Sequence, residues 1–237
     1  MNFNEKPIYD LVLSGAQVLV RSPQSQWKLE NIDVAITDQT ISFLGQISKS
    51  QARTWVDMHG LTILPGMIDT QVHFREPGLE HKENLASGTL GALLGGLIGI
   101  FEMPNTQPST LTAIDLADKM SRAQEKSWTH YAFYMGASQD NAHLLNQLEQ
   151  LPGCCGIKIF MGSSTGSLLV ADDQNLEKIL KNGTRRIAVH CEDEYRLKER
   201  KEIVEKNPGK VELHPLWRDE LTALNATKRI VHLAKKT

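Results

Sequence analysis

Residues 68–78 read IDTQVHFREPG. A β-forming run leads straight into an imidazole at His73, a guanidinium at Arg75 and a carboxylate at Glu76. Alternate residues of a strand share a face, so Gln71 and His73 belong to the same side of its end. Such an end is either a polar strand terminus or one half of a metal site in which Gln71 stands where a second imidazole is expected.

Downstream of Pro65, apolar strand candidates alternate with segments of helical periodicity, the pattern of a parallel α/β fold. Six strand candidates follow in order: MIDTQVHF (67–74), IGIFEMP (98–104), HYAFYMGA (130–137), GIKIFMG (156–162), RIAVHCE (186–192) and RIVHLA (229–234). Between them, HKENLASGTLGALLGG (81–96), PSTLTAIDLADKMSRAQEK (108–126) and DQNLEKILKNG (173–183) read as helices. No dinucleotide fingerprint follows the first strand, which argues against a Rossmann domain. His73, Arg75, Asn105, Lys158, His190 and His232 all fall at C-terminal strand ends, where a (β/α)8 barrel builds its site. The expected fold is a TIM-type barrel over residues 63–237, with about six of its eight β/α units, so that the barrel reads as incomplete. Residues 1–62 carry short alternating strands separated by Gly, Asn and Asp, and are expected to form part of a small antiparallel β-sandwich.

Composition narrows the partners. With 26 basic against 28 acidic residues and no basic block, neither nucleic acid nor an anionic membrane is indicated. The opening MNFNEKPIYD lacks the apolar core of a signal peptide. The longest apolar run, 90–101, is interrupted by four glycines and falls short of the roughly twenty residues a membrane span needs. Cys154 and Cys155 are adjacent and Cys191 stands apart, which is no disulfide framework and suits the cytoplasm.

Three histidines ending equivalent strands, His73, His190 and His232 on candidate strands one, five and six, are what a zinc site needs, because neutral imidazole is a good zinc ligand. Lys158 leaves two readings open: a side chain snorkelling to solvent, or a lysine neutralised by carbon dioxide so that its carbamate bridges metals. GSSTG (162–166) imitates a nucleophile elbow around Ser164, but SLLVADDQ separates it from the next helix, so a loop is expected. His214 reads as loop or helix-entry structure, and His81, His130 and His143 as residues either on the surface or just behind the site. Cys191 should face a flanking helix, opposite to His190. EYRLKERKEIVEKNPGK (194–210) reads as a solvated helix face.

PGMIDTQVHFREPG, FEMPNT, GIKIFMGSSTG and VHCEDE, in that order and each at a strand end, resemble the dihydroorotases of the amidohydrolase superfamily. The resemblance runs along nearly the whole chain. It implies reversible hydrolysis of dihydroorotate to N-carbamoyl-aspartate in pyrimidine biosynthesis, with one or two zinc ions. It also implies metal ligation by His73, a carboxylated Lys158, His190 and His232, with Gln71 as a weaker additional ligand. Arg75 and Asn105 would hold the substrate carboxylate, a task suited to a guanidinium. The same resemblance implies a homodimer and an association with aspartate carbamoyltransferase. Two departures stand out. Gln71 replaces a histidine common in the family, and the family's catalytic aspartate has no counterpart, so that residue is expected beyond 237. The alternatives are a non-catalytic dihydroorotase-like partner of aspartate carbamoyltransferase, or an allantoinase- or hydantoinase-type cyclic amidohydrolase.

Overall fold

The computed structural model describes residues 8–22, 24–162 and 168–237, and the chain divides into two compact units, Met1–Gly66 and Met67–Thr237. In the first unit, strands β1 (Tyr9–Ser14), β4 (Asp33–Thr37), β5 (Thr40–Gly45) and β6 (Ala52–Asp57) form a sheet of order β5-β4-β1-β6. Strands β2 (Gln17–Arg21), β3 (Trp27–Asn31) and β7 (Thr62–Ile63) form a second sheet of order β3-β2-β7. Ala16, Val18 and Val34 make the small core, with Leu13, Val20, Ile36 and Ile63 against it. The sheets are mixed and not purely antiparallel as expected, because β1–β6 and β2–β7 pair parallel. Alternation along one strand reports which residues are buried but not the direction of its neighbour. The turn between β1 and β2 needs a glycine: Gly15 has φ +82°, and a Cβ there would lie 2.3 Å from the His59 ring. The buried Asp33 carboxylate accepts from the Gly15 and Ile47 amides at 3.1 and 3.0 Å, which ties this turn to the chain beyond β5.

The second unit is built on β8 (Met67–Val72), β9 (Leu97–Glu102), β10 (His130–Gly136), β11 (Cys154–Phe160) and β12 (Ile187–His190). Their order is β12-β11-β10-β9-β8, and every pairing is parallel. Strands that add in chain order without reversing give the curled sheet of a barrel, whereas a doubly wound sheet reverses at a switch point. Helices α1 (Leu85–Leu94), α2 (Ala113–Lys126), α3 (Leu145–Leu148), α4 (Asp173–Asn182), α5 (Glu194–Arg200), α6 (Glu202–Glu205), α7 (His214–Trp217) and α8 (Glu220–Ala234) complete the unit. Phe133, Met135, Ile157 and Ile159 meet Leu116, Ala123, Leu176 and Ile179 in the core, each of the large apolar side chains being worth roughly 1.5–3 kcal/mol. The alternate residues Tyr134, Lys158, Phe160 and His190 therefore belong to the opposite, inner face of the sheet. The charged run beginning at Glu194 forms α5 and α6, with i,i+4 pairs Glu194–Lys198, Lys201–Glu205 and Glu202–Lys206. Cys191 packs against the core, and His214 opens α7 edge-on to Trp217.

The sixth expected strand is a correction. RIVHLA is the last part of α8, so five parallel strands are present among the described residues. The β-branched pair Ile230–Val231 imitates a strand locally, but Thr222, Ala226, Ile230 and Leu233 are buried at helical spacing. The helix also has a strong start, since Asp219 accepts from the Thr222 amide and hydroxyl at 3.1 and 2.9 Å.

Asp219 also receives the Arg196 guanidinium, and this pairing holds its carboxyl far below the usual carboxylate range. A depressed carboxyl contributes stability above its unfolded pKa, about 3.9, and loses that contribution as the pH falls below it. Asp219→Asn keeps a capping side chain and removes the charge. It is expected to lower Tm at pH 7, with the gap to wild type closing toward pH 2 in thermal melts followed by circular dichroism. Equal melting at pH 7 would show that the charge contributes nothing.

Candidate functional site

The ends of β8 and β9 are laced together before their side chains diverge. Val72 stands opposite Glu102, and the Met103 amide donates to the Val72 carbonyl at 3.0 Å. Beyond β8, Arg75 takes a left-handed conformation (φ +67°), which a residue with a Cβ adopts only when its surroundings compensate. Glu76, fully buried, accepts from the Leu85 amide at 2.9 Å and pairs with Lys126, so it fastens the loop to both α1 and α2. Gly78 (φ +88°) admits the Gln107 carbonyl, which a Cβ would approach to 2.2 Å. The loops bearing Arg75 and Asn105 are thus packed backbone to backbone.

This packing brings His73 to Asn105: the imidazole Nδ1 lies 2.8 Å from the amide Oδ1. An amide oxygen only accepts, so Nδ1 carries the proton and Nε2 presents its lone pair. Burial first, then the Arg75 charge, pull the His73 pKa below its ordinary value against the opposing Asn105 hydrogen bond, and Lys158 adds to the depression. Neutral imidazole is the form that can ligate a cation. Lys158, on β11 and 2% exposed, lies 5.1 Å from the Phe160 ring, and desolvation lowers its pKa as well.

His190 ends β12 with Nε2 2.6 Å from Glu192 Oε2. The carboxylate accepts, so here Nε2 is protonated and Nδ1 is the free lone pair. Arg218 Nη1 donates to the same Glu192 oxygen at 3.1 Å and stacks its guanidinium 4.7 Å over Trp217. Both histidines thus have one ring nitrogen tied to an oxygen, the arrangement that orients an imidazole for metal binding.

The remaining expected residues are placed differently. Gln71 is exposed, and its backbone amide donates to Asp69 at 2.9 Å. His232 lies on the exposed face of α8 and not at a strand end, so the reason for grouping it with His73 and His190 is gone. Among the described residues, no three His, Cys, Asp or Glu side chains converge to hold a metal ion. The donors that could serve are His73 and His190, with Lys158 once it is neutralised. Their chemistry fits zinc, although with fewer imidazoles than the strand-end pattern suggested. Residues 163–167, including Ser164 of the elbow-like GSSTG, lie outside the described residues. His81, His130 and His143 are exposed, the first of their two expected placements. Sequence reading missed Glu192, although its two-residue spacing from His190 is a visible signal. Arg218 is 26 residues from Glu192 and gave none.

Residues 60–136 match the Dihydro-orotase-like family. The chain is similar to an allantoinase of Desulfitobacterium hafniense (29% identity over 97% of this chain and 51% of the relative). It is also similar to a dihydroorotase of Methanosphaera stadtmanae (30% identity over 80% of this chain and 43% of the relative). The chain spans about half the length of the curated relatives it matches. Among solved structures, an L-hydantoinase from Arthrobacter aurescens superposes with a TM-score of 0.83 at 22% identity, covering 96% of this chain and 51% of that one, a likeness of fold. Barrel topology and family match agree, and the chain belongs to the dihydroorotase-like cyclic amidohydrolases of the amidohydrolase superfamily.

Proposed function

We propose that the chain carries the metal-binding and carboxylate-binding part of a zinc-dependent cyclic amidohydrolase that interconverts dihydroorotate and N-carbamoyl-aspartate. The observation that carries this reading is the complementary tying of the two histidines, which leaves His73 Nε2 and His190 Nδ1 as donors. Zinc, when bound, supplies Lewis acidity toward a ring carbonyl and toward water. Arg75 offers paired, charge-assisted hydrogen bonds to a ring carboxylate. The Asn105 amide nitrogen can donate to the same group while its oxygen holds His73. Desolvation favours the neutral amine of Lys158, the form that adds to carbon dioxide; the nitrogen loses one proton as the N–C bond forms, leaving an anionic carbamate.

Arg75 is what favours dihydroorotate over the substrates of allantoinases and hydantoinases, because a guanidinium matches a ring carboxylate. A homodimer, an association with aspartate carbamoyltransferase and a cytoplasmic location complete the proposal. Among the described residues no helix is long and apolar enough to cross a membrane. The second reading, a non-catalytic structural partner, draws on the exposed Gln71 and the helical His232.

Zinc per chain after exhaustive dialysis separates the two readings. One or two equivalents are expected in wild type, falling in His73→Ala and in His190→Ala. Near-zero zinc in folded wild type would favour the structural partner, and unchanged zinc in both histidine variants would sink the proposed site. Glu192→Ala removes no ligand but frees the His190 ring, and is expected to weaken zinc about 10–100-fold in chelator competition. Arg75→Ala should leave zinc unchanged while weakening L-dihydroorotate binding about tenfold or more by calorimetry. Intact affinity would move the carboxylate clamp elsewhere.

A further inference from the structure

Behind the site lies an ion pair that the proposed chemistry does not use. Glu102, the last residue of β9, has no exposed surface, and Lys119 of α2 is 1% exposed. Lys119 Nζ donates to Glu102 Oε2 at 3.1 Å and to the Met103 carbonyl at 3.1 Å, and stands 5.3 Å from the Phe133 ring. Burial pulls both groups toward neutrality, raising the Glu102 pKa and lowering that of Lys119, while their mutual attraction opposes it. The Arg75 backbone amide also favours the Glu102 charge. The second oxygen, Oε1, is buried without a hydrogen-bond partner among the described residues.

A buried ion pair is a poor means of gaining stability, because apolar side chains of similar volume often serve as well or better. The surroundings of this pair suggest another role. Glu102 stands opposite Val72, three residues before Arg75, and Asn105 follows it by three residues. Lys119 reaches across to the carbonyl of Met103, between Glu102 and Asn105. The pair therefore bears on the Asn105 loop through the Met103 carbonyl, and on the Arg75 loop through the Met103 amide's hydrogen bond to the Val72 carbonyl.

We propose that Glu102 and Lys119 are positioning residues, whose buried ion pair sets the backbone of the Arg75 and Asn105 loops so that the two side chains converge on one carboxylate. This rests on reading Arg75 and Asn105 as the carboxylate clamp.

The test compares the full wild-type chain with Lys119→Met and with the double variant Glu102→Leu/Lys119→Met. The single variant strands a buried carboxylate and should melt much earlier, while the double variant should recover most of the lost Tm. Despite that recovery, the double variant should show faster hydrogen exchange at the Arg75 and Asn105 amides and bind L-dihydroorotate about tenfold more weakly or worse. A double variant equal to wild type in Tm, exchange and affinity would overturn the proposal, since a merely structural pair predicts that outcome. Glu102→Asp, which keeps the charge but retracts it from the Arg75 amide, tests the same point if the double variant does not fold. Faster Arg75 exchange with unaltered Asn105 exchange is then expected, and unchanged exchange at both overturns the proposal. If wild type binds no dihydroorotate, the clamp reading fails, and amide exchange still decides whether the pair positions the loops.

Discussion

Parallel pairing in chain order is the constraint on which the second unit depends. Each of β8 to β12 lies beside its sequence neighbour and runs the same way, so all five C-terminal ends lie along one rim. The helices that return the chain cover one face with the Phe133–Ile159 core, and the period-2 alternation leaves the other face to Tyr134, Lys158, Phe160 and His190. His73 and Asn105, 32 residues apart, meet at 2.8 Å because β8 and β9 share a register in which Val72 faces Glu102.

Much of this was legible in the residues, for an identifiable reason. The strands from Met67 to His190 are apolar runs bounded by turn chemistry, and buried parallel strands must be apolar on both faces. RIVHLA shows the limit: six residues cannot distinguish a buried strand from one side of a buried helix, and the deciding signal was the Asp219 cap ten residues upstream of the run. The parallel members of the first unit were illegible for a related reason, since β6 and β7 carry no mark of their partners' direction. Among the candidate residues, His73, Arg75, Asn105, Lys158 and His190 stood out by residue type at or near strand ends. Arg218, Lys119 and Glu102 did not, because a charge that works by touching another side chain is visible only once the chain is folded.

The electrostatics of the rim and of the layer behind it are opposed. On the rim, His73 and Lys158 are drawn toward their neutral forms by burial. Behind it, Glu102 and Lys119 share that burial penalty but hold each other's charge, and Glu76 is paired with Lys126. Full charges are thus compensated in pairs within the scaffold, while on the rim burial weighs against charge at His73 and Lys158.

Under the proposed function, the Asn105 amide would join two recognition events in one conjugated group. Its oxygen is engaged by His73 Nδ1, whereas its nitrogen makes no hydrogen bond among the described residues. Amide electrons are delocalised, so an anion accepting from the nitrogen draws density toward the oxygen, which then holds the Nδ1 proton more firmly. Linked hydrogen bonds reinforce one another in this way, and the far imidazole nitrogen becomes the more basic for it. An arriving carboxylate would thereby be felt as added electron density at a cation two groups away, with no backbone movement required.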